Sequence, residues 1–375
     1  MDAAVYSPVV KVKVFRKIKI RTVVFGGFLV VFAISIKIFS HYPILVERYY
    51  SVGLYPQVST FYRSIFGWLP FSLGDVFYFA TGSYLLLLLI KMGRAIYQRR
   101  LLKTDLFYKV ERFLFALLVV YIYFNLSWGL NYNRPGIAVQ LELSPERHNE
   151  SDLKEIAGIL LTKINVIRRQ IGTVKILCKP YPTMFFEAQQ AYQMASVDFS
   201  FMTYKAASVK RSMYGRMGNY LGFLGYYNPF TGEAQLNLTM PRFLIPYVTC
   251  HEMAHQLGYA SESEASFVGY LAAVRSKDTL FQYSTYFDLF GYANHELYLR
   301  DSAAAKSNYK LLDTLVKSDM AEVKEYWRKS DNVIEPVIRI FYDHYLKANQ
   351  QSKGVKSYNE VIGWLIAYHK KYGKV

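Results

Sequence analysis

Cysteine is scarce in this chain, with two in 375 residues. So few thiols exclude a disulfide-built scaffold and a four-cysteine zinc module. Charge is scarce too: 19% of the side chains are charged, against the ~25% of an ordinary soluble protein. Hydrophobic residues reach 52%, which excludes a disordered chain, because disorder needs low hydrophobicity and high charge. Acidic residues are rarest at the start. Residues 1–112 hold 16 basic and 5 acidic side chains, whereas residues 113–375 hold 29 and 23. The positive excess therefore accompanies the longest apolar runs, a pairing that points to a membrane and not to nucleic acid.

Three segments, about 22–39, 74–91 and 113–132, are apolar enough to suggest transmembrane helices, since a span needs ~20 mostly apolar residues. Lys11, Lys13, Arg16, Lys17, Lys19 and Arg21 precede the first. Lys91, Arg94, Arg99, Arg100, Lys103, Lys109 and Arg112 lie between the second and third, while residues 40–72 hold only Arg48 and Arg63. The positive-inside bias then places the N-terminus and the 91–112 loop in the cytoplasm and everything after about residue 133 outside. No small-residue cleavage site follows the first run, so it is not a removable signal. Residues 41–72 are aromatic and broken by Pro43, Gly53, Pro56, Gly67 and Pro70. They suit an interfacial or re-entrant segment, or equally a cap on the outer domain.

Residues 134–375 have ordinary composition and are numerous enough for one substantial core. Ser151-Asp152 opens a helix whose apolar face is Leu153, Ile156, Leu160, Ile164, Ile167 and Ile171, with Gly172 as its end. Residues 173–178 read as a strand. Segments 219–227 and 233–238 read as strands around the turn 228–232. From 241 onward the pattern is mostly helical, ending in a helix over 358–371. No internal repeat or low-complexity tract occurs. Strands followed by helices make the expected class α+β, mainly α.

The sharpest signal is CHEMAHQLGYASESEASF at 250–267. His251 and His255, at i and i+4, share one helical face and can hold one zinc, with Glu252 beside them as general base for a water. A catalytic zinc needs a third protein ligand, for which Glu262 and Glu264 compete. Ser261 and Glu264 fit a capping box, which gives Glu264 a structural task and makes Glu262 the preferred ligand. Ser266 stands one turn beyond Glu262, where it can support a ligand. Zinc proteases of the gluzincin type resemble this arrangement, with a small and then a polar residue three and four beyond the ligand, as Ala265 and Ser266 are. Cys250 points about 100° away from His251 on a helix, so it is expected in the core, although Cys178 could pair with it. Tyr226 or Tyr227 can donate to an oxyanion, or the aromatic hairpin can simply pack. His295 is read as a surface residue, and Lys205, Lys210, Arg211 and Arg216 as a solvated face.

The stretches ERYYSVGLYPQVSTFYRSIFGWLPFSLGD (47–75), WGLNYNRP (128–135), YYNPFTGEAQLN (226–237), CHEMAHQLGYASESEASFVGYL (250–271) and YLKANQQSKGVKSYNEVIGWLIAYHKKY (345–372) resemble the domain-of-unknown-function 3810 family of bacterial membrane proteins. The resemblance implies a membrane-anchored, zinc-peptidase-like protein and supplies no substrate. Ser266 departs from the Asn expected at its position.

The expectation is a membrane region, 1–133, followed by an extracytoplasmic, gluzincin-like zinc metallopeptidase domain, 134–375, in a bacterial inner membrane. Zn2+ would be held by His251, His255 and Glu262, with Glu252 catalytic. The expected partners are an envelope peptide or protein and the lipid bilayer, with no nucleic acid. An intramembrane protease is set aside, because Ser261-Glu262-Ser263-Glu264 follows the motif at once. A non-catalytic zinc-binding scaffold is the rival from another class.

Overall fold

The computed structural model describes residues 20–98, 103–145, 148–172, 175–351, 354 and 360–375, the side chains of 20–23 and 103–108 excepted. The basic residues Lys11 to Lys19, and Arg99 and Arg100, lie outside the described residues.

The first half is helical: α1 (Ile20–Phe39), the short α2 (Pro43–Leu45), a π-helix (Val46–Leu54), α3 (Tyr55–Phe66), α4 (Leu73–Tyr97) and α5 (Lys103–Ser127). All of α4, and Lys109–Ser127 within α5, are long and apolar enough to cross a membrane. α1 meets that standard only when Val24–Phe39 and Pro43–Phe66, bent by 101°, are counted as one broken span. Among the described residues there are thus two helices able by length and composition to cross a membrane, or three with the bent pair. Residues 128–132 of the expected third span are not part of it. Trp128 leaves helical geometry at φ −165° and ψ −38°, and a buried 3-10 turn, Gly129–Asn133, follows.

The second half continues with α6 (Ile137–Gln140), α7 (Glu150–Ile171) and α8 (Tyr181–Asp198). Asn149, not Ser151, caps α7. Its side chain accepts from Asp152 N while Asp152 bonds back to the cap, so two orphan donors of the first turn are satisfied. Leu153, Ile156, Leu160, Ile164 and Ile167 are buried as their spacing predicts, and Gly172 closes the helix at φ 73°, a left-handed conformation that favours glycine. Of the strand expected at 173–178, Thr173 and Val174 lie outside the described residues. Residues 175–178 are irregular.

One three-stranded sheet follows, β1 (Val209–Arg211), β2 (Gly225–Asn228) and β3 (Glu233–Leu236), in the order β1-β3-β2. β1 runs parallel to β3, and β2 antiparallel, with Tyr226 opposite Gln235. Residues 219–221, expected as strand, instead end the helix α9 (Gly215–Leu221), which Gly222 closes at φ 81°. Asn228 Oδ1 accepts from Phe230 N and Thr231 N and so folds the hairpin loop.

The remaining helices are α10 (Ile245–Gln256), α11 (Glu262–Ala273), α12 (Thr279–Arg300), α13 (Ser302–Leu311), α14 (Thr314–Ser330), α15 (Glu335–Ala348) and α16 (Val361–Tyr372). Tyr358 and Asn359, expected to start the last helix, lie outside the described residues. The main core joins α7, α8, α10, α11, α12 and α16 through residues such as Ile164, Tyr192, Met253, Phe267, Phe290 and Leu365. Cys178 and Cys250 are both free, so the possible pairing is not made.

A second apolar cluster ties the two halves together. It joins Leu29 and Ile36 of α1, Ile122 of α5, Val46, Tyr50 and Tyr55, Trp128 and Ala260. Beside it Glu47 and Arg134 form a buried two-point ion pair, both contacts at 2.7 Å, and Arg134 Nη1 also donates to Gly258 O at 3.2 Å. Of the two readings of residues 41–72, packing on the outer domain is therefore present in the fold.

Candidate metal centre

Helix α10 presents His251 and His255 on one face. Their rings are perpendicular with centroids 4.8 Å apart. The chain then turns at Gly258, φ 89°, where a Cβ would lie 2.9 Å from the Tyr55 ring, so both conformation and space require glycine. The turn brings Glu262, in the first turn of α11, back to the histidines. Glu262 Oε2 lies 3.2 Å from His251 Nε2 and 3.5 Å from His255 Nε2. One ligand atom from each of the three residues lies within 4.8 Å of the others.

Each of the three is held from behind. His255 Nδ1 is 2.7 Å from Tyr259 O. A carbonyl only accepts, so Nδ1 carries the proton and Nε2 of the neutral ring turns its lone pair inward. Ser266 Oγ stands 3.1 Å from His251 Nδ1. Tyr342 of α15 donates to Glu262 Oε1 at 2.8 Å, and Glu262 N donates to Gln351 Oε1 at 3.2 Å. Burial alone would raise the Glu262 carboxyl, but His255 and His251 hold it well below the usual carboxylate range. Burial would likewise lower His255, yet Glu262 and Glu252 bring it up to about 9. His251 is lowered by burial.

Glu252 is buried next to this cluster, and its Oε2 has no hydrogen-bond partner among the described residues. Burial, with Glu262 adding to it and His255 opposing, pushes its carboxyl up to about 8. It lies against β2, where a Cβ on Gly225 would come within 2.6 Å of Glu252 Oε1 and 2.9 Å of its Cγ. Gly225→Ala is therefore expected to turn the carboxylate aside. The obstacle is the end of one side chain, so the melting temperature should move little while any reaction that needs Glu252 slows. Calorimetry alongside a turnover assay checks this, and unchanged turnover would show that the carboxylate has room to spare.

The other expected residues go elsewhere. Glu264 is outside the cluster. Its Oε1 accepts from Ile137 N at 2.8 Å, and burial raises its carboxyl to about 7 despite Arg134. The capping box is not formed: Ser261 is the N-cap without a side-chain cap bond, and its Oγ meets Ser263 Oγ at 3.0 Å. Glu264 is drawn away by the orphan amide at the start of α6. Tyr226 donates to Asp75 Oδ1, which removes it as an oxyanion donor. Tyr227, on the opposite face of β2, lies with its ring 6.5 Å from His255. Cys250 is fully buried. His295 is exposed, as are Lys205, Arg211 and Arg216. Lys210 departs from the expected solvated face: it is buried and donates to the carbonyls of Gly67 and Leu69 just past α3.

Several functional neighbours lie beyond the sequence reading. The last carbonyls of α10 have no partner within the helix, and the first half of the chain supplies donors. Tyr55 Oη donates to His255 O and Gln256 O, both at 3.3 Å, Ser59 Oγ to Gln256 O at 2.7 Å, and Trp128 Nε1 to His255 O at 3.3 Å. Gly258 announces that the helix ends, but nothing in the sequence says which donors meet it.

Two imidazole nitrogens and a carboxylate oxygen, each on a residue held by a further hydrogen bond, are the kind of donor set that fits zinc. The buried, unpartnered oxygen of Glu252 beside them fits a group that handles a proton at such a site. No curated protein and no solved structure matches the chain. Residues 50–366 match the family described as "Protein of unknown function (DUF3810)", and the chain belongs to that family.

Proposed function

We propose that the protein is a membrane-anchored, zinc-dependent metallopeptidase that hydrolyses peptide bonds in the cell envelope. The observation that carries this reading is Glu252, a buried carboxylate with an unpartnered oxygen beside the two-histidine, one-glutamate cluster. A zinc site kept only for structure has no use for such a group.

His251, His255 and Glu262 would hold the ion, which when bound supplies a Lewis acid that polarises a carbonyl and acidifies water. Glu252 takes the proton from the attacking water and returns it to the departing amine, the general acid–base role. β2 is an edge strand of the sheet, and its Gly225 touches Glu252. An extended peptide paired to that edge is held by main-chain hydrogen bonds with its scissile bond beside the base. Purified full-length protein is tested for zinc and for hydrolysis of a peptide library; zinc without any Glu252-dependent cleavage would leave the scaffold reading in its place.

The charge bias places the N-terminus in the cytoplasm of a bacterial inner membrane and the C-terminal domain outside. A periplasm-dependent reporter joined after Val375 is expected to be active. A reporter that works only in the cytoplasm would remove envelope substrates from consideration.

A further inference from the structure

Both long apolar helices touch the metal centre's own elements with their outer ends. α5 ends at Ser127, and the next residue, Trp128, donates to His255 O at 3.3 Å. One residue of chain covers at most ~3.6 Å, so α10 lies where the span emerges. At the start of α4, the amides of Leu73 and Gly74 donate to the Glu233 carboxylate on β3, at 3.1 and 2.6 Å. Phe230, at the hairpin tip, packs on Phe77 of α4 at 5.4 Å and stacks on Tyr123 of α5 at 5.8 Å. The hairpin beside Glu252 is thus wedged between the two spans.

The surfaces around this junction are strongly apolar on the outside. Between α1 and α4, the face turned into the protein buries Glu47, Ser51, Ser59 and Arg63 alongside Val46, Tyr50 and Tyr55. The face turned outward carries Ile44, Tyr49, Val52, Phe61, Ile65 and Trp68, the last 75% exposed. Charged and hydroxyl groups held inside while large apolar side chains stand outside is an arrangement that water disfavours and lipid favours. α15 repeats the apolar exterior. Leu346 is its one buried residue, while Ile334 before it and Val337, Ile340 and Phe341 within it stand exposed, Phe341 at 69%. An isolated helix of this length is marginal in water, and an apolar stripe calls for a partner. The same helix reaches the metal centre: Tyr342 bonds Glu262, and Tyr345 Oη meets Tyr132 Oη at 3.2 Å, just past the end of α5. The apolar surface is therefore continuous with the spans, which identifies the lipid bilayer as its occupant.

We propose that α15 and the outward face of residues 44–68 rest in the bilayer surface, so that the metal centre is reached from the membrane and cleaves peptide segments beside a membrane anchor. The substrate part rests on the peptidase reading; the lipid contact does not.

Both parts are tested on the full chain in phosphatidylethanolamine–phosphatidylglycerol liposomes. Fluorescent labels on Trp68→Cys and Phe341→Cys, each in a Cys178→Ser background, are exposed to acyl-chain nitroxide and to aqueous iodide. Quenching of both by the nitroxide and shielding from iodide is expected. Quenching by iodide alone, or by neither, overturns the lipid contact, the second outcome pointing to a protein partner. An unstructured polypeptide carried on a single transmembrane anchor is then compared with the same polypeptide free in solution. Tethering raises effective concentration, and the anchored form is expected to be cut at least about tenfold faster, at sites close to the anchor. Equal rates, or cuts spread evenly along it, overturn the substrate assignment. Labels in lipid with neither polypeptide cut by the wild type would instead retire the peptidase reading and leave the lipid contact standing.

Discussion

Glu252→Gln is expected to lower peptide hydrolysis by ~10²–10⁴-fold while zinc content and fold are retained, because an amide cannot take the proton. The size follows from the position of the carboxylate. It is buried beside the His251, His255 and Glu262 cluster, with its Oε2 unpartnered among the described residues. A second measurement separates chemistry from folding. In the metal-free protein, burial raises the Glu252 carboxyl from 4.5 to about 8. Between those values the folded state keeps a proton that the unfolded state releases, so stability falls as pH rises through that window. The glutamine variant has no such proton. Metal-free Glu252→Gln should therefore melt higher than the wild type at pH 8, with the gap closing toward pH 4. Retained turnover would remove Glu252 from the mechanism, whatever the melting curves do.

Glu262→Ala is expected to lose most of the bound zinc, since two histidines alone make a weak site and Tyr342 would lose the carboxylate it supports. Glu264→Ala should keep its metal yet be the less stable of the two when both are measured metal-free. It strips the acceptor from the buried Ile137 amide, a loss of ~1–3 kcal/mol. Metal uptake has a pH dependence of its own. His255 is held up to about 9 and must give up a proton to bind, so affinity rises with pH toward that value. Zinc by elemental analysis and denaturant titration on the same preparations decide the matter. Loss of metal from Glu264→Ala, with Glu262→Ala still loaded, would reverse the assignment.

The features the sequence predicts well are those governed by local physics. The spacing of Leu153, Ile156, Leu160, Ile164 and Ile167 makes α7 an amphipathic helix, and Gly172 needs only its own backbone freedom to end it. His251 and His255 face the same way because any helix places i and i+4 together. Failures begin where a distant group competes. Ser261 and Glu264 have the spelling of a capping box, but an amide 127 residues earlier in the chain takes the carboxylate. Residues 219–221 open the aromatic, strand-like run 219–227, yet Gly218 and Gly222 fit the turns of α9. Lys210 looks like a surface cation until the carbonyls of Gly67 and Leu69 claim it. Tyr55, Ser59 and Trp128 meet the end of α10, and Tyr342 meets Glu262 of α11, from 80 to 201 positions away; no spacing rule reaches that far.

The donors that Tyr55, Ser59 and Trp128 offer to the end of α10 also set an order of events in the life of the molecule. A ribosome delivers these three residues long before it delivers His255. The supporting wall is consequently laid down, along with its apolar helices, while the helix it supports has yet to be made. The carbonyl of His255 also has a local donor, Gly258 N at 2.9 Å, whereas Gln256 O receives Tyr55 and Ser59 from the earlier half. The end of α10 is thus completed by groups that are synthesised before it, and its last turn closes onto a surface already made.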